Sequence, residues 1–347
     1  MPGSNAAIDA ASAIRPLAGW FRRHKDKLWW LHSLYALALG IGIMWLGTQK
    51  FVYLRVTVFH ICFIWLSSFF LPKLVNHPRL PARWVPRVRL LVNFFNKNFY
   101  QQMMFFVLPI YYASATVSSR NILFVLLVAL SAILSTLDIV YDRHLSVSRT
   151  LTAAFFAFNL FALINVMLPV LWSVSNTLTT RLSALLAAMA FLTLFHPLLQ
   201  AKARRTMLGL LIAILGLAAV EQGRAFIPPA PLRLASAEFG MGFQQETLSL
   251  DSKITEVAAG RSVRLYGLTA IKAPLGLEER VQHRWYRNGK LVWASPFYNV
   301  TGGREEGFRL WTTCTFDSIA PGAEIRLDLE TEGGQLIGRA ALKAAKA

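Results

Sequence analysis

The chain has 347 residues, 55% of them hydrophobic, and a formal net charge of +18. Residues 1–231 hold 21 Lys and Arg against 5 Asp and Glu, while residues 232–347 hold 15 against 13. The positive excess therefore belongs to the apolar part of the chain, which excludes nucleic acid or an acidic soluble partner as its explanation.

Residues 1–27 form a basic segment with Arg15, Arg22, Arg23, Lys25 and Lys27. Apolar runs follow at Leu28–Gly47, Phe51–Leu71, Phe99–Val117, Ile122–Tyr141, Leu151–Val174, Leu182–Leu199 and Thr206–Ile227. Each comes near the roughly 20 residues a helix needs to cross a bilayer, where lipid offers backbone groups no hydrogen-bond partner. The expectation is a membrane all-α bundle of seven transmembrane helices over residues 28–227. Trp29, Trp30, Trp45, Tyr53, Tyr100, Tyr141 and Trp172 fall near run ends, as an aromatic belt does. The last run is the weakest, because reaching Ile227 takes in Glu221 and Arg224, spaced to pair at an outer interface.

Loop charge sets the orientation. Alternate connections carry 16 basic residues on one side and only Lys50, Arg55, Arg120 and Arg181 on the other. Basic loops stay cytoplasmic, so the N-terminus is expected inside and residues 232–347 outside, which for a bacterial inner membrane is the periplasm. No A-x-A-like cleavage site follows the first run, which reads as a signal anchor. Within the second connection, residues 83–98 mix Trp84, Val88, Leu91, Val92 and Phe95 with Arg83, Arg87, Arg89 and Lys97 at near-helical spacing. That pattern suits an interfacial helix on anionic cytoplasmic lipid; a solvated basic loop is the alternative.

Residues 228–231 (Pro-Pro-Ala-Pro) read as a semi-rigid, extended linker. Beyond it the pattern turns β-like. Strands are expected at Val263–Thr269, Val281–Arg287, Leu291–Ser295, Phe308–Phe316, Ala323–Glu330 and Leu336–Leu342, with less definite ones at Ser236–Phe243 and Thr247–Val257. Asn288-Gly289 is the favoured pair for a type I′ hairpin. Residues 232–347 are thus expected to form an all-β, immunoglobulin-like antiparallel sandwich without the Cys…Trp…Cys framework of antibody domains.

The run His283-Arg284-Trp285-Tyr286-Arg287-Asn288-Gly289-Lys290, then Trp311, Pro321-Gly322 and Gly334-Gln335-Leu336-Ile337-Gly338, resembles the bacterial domain of unknown function 2914. The resemblance covers roughly residues 232–342, and the preceding runs resemble the multi-span segment that accompanies that domain in inner-membrane proteins. It implies a place in the cell envelope and no activity.

Ionisable or amide groups inside apolar runs are candidates for an intramembrane polar site: His32, His60, Asp138, Asn159 and His196. Such groups suit proton relay or metal ligation, and equally suit tying helices together. Pro109, Pro169 and Pro197 interrupt runs, as broken transporter helices do, though prolines are also ordinary in membrane helices. In the β region, alternation puts His283 and Trp285 on one strand face and Arg284 and Tyr286 on the other. The Trp285 face reads as core, with His283, Trp285, Asn288, Gly289 and Trp311 structural. Arg284 and Tyr286 read as a binding face for a glycan, lipid headgroup or envelope protein. The sequence holds no H-E-x-x-H, G-x-S-x-G, Walker or Rossmann pattern, so neither enzyme activity nor a cofactor is expected. The expected function is envelope binding or assembly. The rivals are a transporter or lipid-handling protein, and an enzyme acting on lipid-linked substrates.

Overall fold

The structure is a computed structural model that describes residues 103–137, 148–195 and 202–345, with isolated residues between 34 and 86. The described residues hold five helices: α1 Met103–Ala113, α2 Ile122–Thr136, α3 Arg149–Trp172, α4 Asn176–Phe195 and α5 Lys202–Gly223. Leu, Ala, Phe and Met dominate them, residues that lose little rotamer freedom in a helix or bury large apolar area. Ser148 caps α3 by accepting from the Leu151 amide, and α3 stops at Ser173 in the left-handed region, φ 54°. A single 3-10 turn, Arg224–Phe226, extends α5.

The expected seven-helix bundle is overturned. Two segments among the described residues, Thr150–Trp172 and Thr206–Phe226, are long and apolar enough to cross a membrane. The α2 helix, with 15 residues, rises only about 22 Å at 1.5 Å per residue, short of a roughly 30 Å hydrocarbon core. The first turns of α4 hold Asn176, Thr177, Thr179, Thr180 and Arg181, polar groups that lower its apolar character. The first two expected spans and the interfacial helix at 83–98 lie outside the described residues, apart from isolated positions.

Inside the helical part, Met104, Phe106, Val107 and Tyr111 of α1 pack with Phe124 and Val128 of α2 and with Phe161 and Leu163 of α3. The Tyr111 hydroxyl donates to the Ala162 carbonyl at 2.8 Å, so the ring's polar tip is satisfied within the interior. Gly209 and Gly216 of α5 face Leu192, Ala184 and Ala188 of α4, where small residues let the two backbones approach. Two apolar stripes stay exposed at helical spacing: Leu123, Leu126, Leu127, Leu130 and Ile133 on α2, and Met207, Leu210, Leu211, Ile214 and Leu215 on α5.

The β region runs β1 Arg233–Gly240, β2 Phe243–Gln244, β3 Ser249–Leu250, β4 Lys253–Ile254, β5 Glu256–Val257, β6 Val263–Lys272, β7 Glu278–Arg287, β8 Lys290–Ala294, β9 Tyr298–Thr301, β10 Phe308–Phe316, β11 Glu324–Thr331 and β12 Leu336–Ala344. One sheet has the order β10-β6-β1-β4; the other is β5-β12-β11-β7-β8, with β9 also on β7, and β2-β3 is a small ribbon. The pairing is not wholly antiparallel, since β5 runs parallel to β12. The expected strand at Thr247–Val257 breaks into three two-residue pieces.

The two large sheets pack face to face around Trp285, which is fully buried. Its ring meets Phe239 edge-on at 5.7 Å and Phe316 at 6.0 Å, both from the facing sheet. Gly267 lies directly opposite: a Cβ there would come within 2.6 Å of Leu327 Cδ2 and 2.8 Å of Trp285 Cζ2. That close approach requires glycine. Beside this core, a second cluster of Leu232, Ile271, Leu277, Val281, Leu329 and Ile337 fills the end nearer the helices. The 228–231 segment is not an extended spacer. It is buried, and it turns through Ala230 N to Pro228 O and Leu232 N to Pro229 O bonds. Packing of its prolines between helices and sheet outweighs their extended preference.

Candidate functional site

Helices and sheets are clipped together by side chains reaching backbone groups that turns and helix ends leave open. Glu279 near the start of β7 is buried, and its Oε2 accepts from the backbone N of Asn176, the first residue of α4, at 2.7 Å. A carboxylate at a helix N-terminus fills an open donor and meets the favourable end of the dipole. Burial raises the Glu279 carboxyl above its ordinary value; hydrogen bonds from the Asn176 and Arg280 amides oppose the rise. Gln335 Nε2 donates to the Ile227 carbonyl at 3.1 Å, Asn121 Nδ2 to the Leu336 carbonyl at 3.1 Å, and Arg339 Nη1 to the Ser118 carbonyl at 3.2 Å.

A cleft of about 540 Å³ opens at this junction, lined by Thr177, Arg181, Arg224, Glu278, Arg280 and Glu332 among others. Arg224 is held in place: Nη1 donates to Thr177 Oγ1 at 3.3 Å and Nη2 to Glu221 Oε1 at 2.8 Å. Glu221 also takes Arg181 Nε at 2.6 Å, so the pair spaced i, i+3 in the sequence becomes a triad between α4 and α5. Across the cleft, Arg280 Nη1 meets Glu332 Oε1 at 2.6 Å. None of these groups except Glu221, Arg224 and Arg181 drew attention in the sequence. The available signal was Glu278-Glu279-Arg280, three charged residues opening a strand whose second carboxylate falls on its inward face.

Of the expected intramembrane polar residues, only Asn159 falls among the described residues. His32, His60, Asp138 and His196 lie outside the described residues. Asn159 is buried on α3 and its Oδ1 accepts from Ser131 Oγ of α2, a helix-to-helix tie. Arg284 and Tyr286 do lie on the outward face of β7, within a charge network. Arg284 Nη1 binds Glu330 Oε2 at 2.9 Å, and Asp328 takes Arg339 through Nε at 2.7 Å and Nη2 at 2.9 Å. The Tyr286 ring sits under the guanidiniums of Arg326 at 4.2 Å and Arg284 at 5.7 Å.

His283 is fully buried, with Nδ1 at 2.8 Å from Thr312 Oγ1 and Nε2 at 2.9 Å from Thr269 Oγ1. Burial depresses its pKa to about 3, so the ring is neutral. Trp285 Nε1 donates to the same Thr312 Oγ1 at 2.9 Å. Trp311 points to the other side of its strand and stacks on Phe243 at 4.3 Å. Asn288 and Gly289 form the β7–β8 turn with φ of 48° and 78°, and Asn288 Oδ1 accepts from Glu324 N at 2.9 Å. Along the sheet edge beyond that turn, Leu291, Val292, Trp293, Phe297 and Tyr298 are each more than a third exposed.

Among solved structures, the chain is similar to the Pseudomonas fluorescens alkylpurine DNA glycosylase AlkC bound to DNA containing an abasic site analog. The identity is 9% and the TM-score 0.22, over 73% of this chain and 80% of that one, a likeness too low to carry an argument. No curated protein matches the sequence. Residues 10–270 match the family described as Family of unknown function (DUF5924). That match ends within β6, before the hairpin on which the resemblance to domain 2914 rests. It spans most of the sequence, from the basic N-terminal segment through the helices to the first long strands, and the chain belongs to this family of unknown function.

Proposed function

We propose that this is a bacterial inner-membrane protein whose C-terminal β region is a periplasmic binding or assembly module. The exposed Leu and Ile stripes on α2 and α5 suit lipid better than water. Ser173 and Arg224, at the ends of α3 and α5, both lie against the β region, so the chain returns between those helices, and α4 supplies the return. Exposed Tyr112, Trp172 and Phe226 mark the β-side ends of α1, α3 and α5, where an aromatic belt would sit. The connections between the far ends carry Arg143, Arg149, Lys202, Arg204 and Arg205, which favours a cytoplasmic position for them. The resemblance of residues 232–342 to domain 2914 agrees with an envelope location.

The observation that carries the binding assignment is the apolar edge of Leu291, Val292, Trp293, Phe297 and Tyr298. It lies on β8 and β9, beyond which no further strand pairs among the described residues, the kind of edge that a partner chain covers. The Arg284 and Tyr286 face adjoins it and supplies charge, although its arginines already have carboxylate partners. A photo-crosslinking residue at Val292 or Tyr298 of the full chain, in native membranes, should give a discrete higher-mass adduct that Trp293→Lys abolishes. A chain that crosslinks to nothing at either position contradicts the reading.

A further inference from the structure

The junction cleft has walls of opposite charge. On the helix side, Arg181 and Arg224 share one carboxylate, Glu221, which leaves that wall one positive charge in excess. On the β side, Glu278, Glu279 and Glu332 face one cation, Arg280, which leaves two negative charges in excess. Hydrogen-bonding capacity is open on both. Among the described residues, Arg224 Nε is buried without a partner, Arg181 uses only Nε, and Glu278 makes no ion pair.

We propose that the cleft holds the headgroup of a phospholipid carrying a primary amine, with its phosphate against Arg181 and Arg224 and its ammonium against Glu278 and Glu332. The inference rests on the membrane reading above. In that reading the arginine wall lies nearer the bilayer and the carboxylate wall farther out. A phosphoethanolamine group has the same order, because its amine extends outward from its phosphate. The exposed stripe of α5, with Leu211, Ile214 and Leu215 below Glu221, offers a surface for the acyl chains. A purely anionic headgroup would meet the acidic wall unfavourably. A quaternary ammonium prefers aromatic faces, whereas the lining offers carboxylates and Asn299, which accept or share N–H bonds.

Native mass spectrometry of the full chain, released from detergent with phosphatidylethanolamine, phosphatidylcholine and phosphatidylglycerol of identical acyl chains, tests this. Phosphatidylethanolamine should be retained over both others by about fivefold, the weight of a partly exposed charged contact. Glu278→Gln with Glu332→Gln should bring phosphatidylethanolamine and phosphatidylcholine to parity, and Arg181→Ala should lower both. Glu278→Gln alone, at an exposed strand end, keeps the test valid if the double variant misfolds. Equal retention by the unaltered chain, or a preference that survives Glu278→Gln undiminished, overturns the proposal. Equal competition by soluble glycerophosphoethanolamine overturns the lipid as its source. Failure of the membrane reading shows separately, as release of the chain from membranes by alkaline carbonate.

Discussion

Glu279 Oε2 lies 2.7 Å from the backbone N of Asn176, so a β-region carboxylate completes the first turn of a helix over a hundred residues earlier. The two parts are thereby bound through a buried charge-assisted bond rather than a loose tether. Glu279→Ala should destabilise the full chain by about 1–3 kcal/mol, since it leaves a helix-end donor open in a buried place. Thermal melts in detergent check the loss. Limited trypsin digestion should also show faster cutting after Arg224 and Arg233, which flank the buried 228–231 segment. A variant with an unchanged melt and unchanged cleavage contradicts the clip.

Neighbouring positions on β7 should behave oppositely. Trp285 fills the core against Phe239 and Phe316, so Trp285→Ala should cost about 3–5 kcal/mol. Tyr286→Ala removes a half-buried ring from beneath two guanidiniums and should cost no more than about 1 kcal/mol. Chemical denaturation of both variants decides the order.

The β7–β8 turn offers a backbone test. Gly289 has a φ of 78° with no heavy atom near its would-be Cβ, so Gly289→Val acts through strain alone. The expected cost is about 1–3 kcal/mol, with Gly289→Asn much milder because Asn tolerates the left-handed region. Equal losses for the two variants would point to a steric cause that the turn does not contain.

Acid should weaken the β region through His283. Its folded pKa of about 3 lies below the ordinary 6.5, so the unfolded chain binds the proton more readily. Stability from this group is complete above about pH 6.5 and falls as pH drops towards 3, by about 2 kcal/mol at pH 5. Glu279 works the other way: its raised carboxyl favours the folded state as pH falls. Denaturation at pH 7 and pH 5 in the Glu279→Gln background isolates the histidine contribution. His283→Gln in that background should flatten the remaining pH dependence.

The hairpin was legible in the sequence because its information is local. Asn288-Gly289 dictates the turn, and alternation places Trp285 inward and Tyr286 outward. Phe308–Phe316 matches its expected bounds for the same reason. The expected bundle failed where apolar runs were equated with full spans. The α2 helix breaks early, at Thr136, whose hydroxyl turns back to the Ile133 carbonyl. The cleft was not legible, because Glu279 and Asn176 meet only through tertiary packing, and no spacing rule joins positions that far apart. Tyr298–Thr301 was missed as a strand since its exposed, mixed pattern carries little alternation, and its pairing with β7 defines it.

Topology tests the central claim most directly. Alkaline phosphatase fused after Ala345 of the full chain should be active in intact cells, and a green fluorescent protein fused at the same point should stay dark. That pairing places the β region on the periplasmic side. A bright fluorescent fusion with an inactive phosphatase would put the region in the cytoplasm and contradict the account.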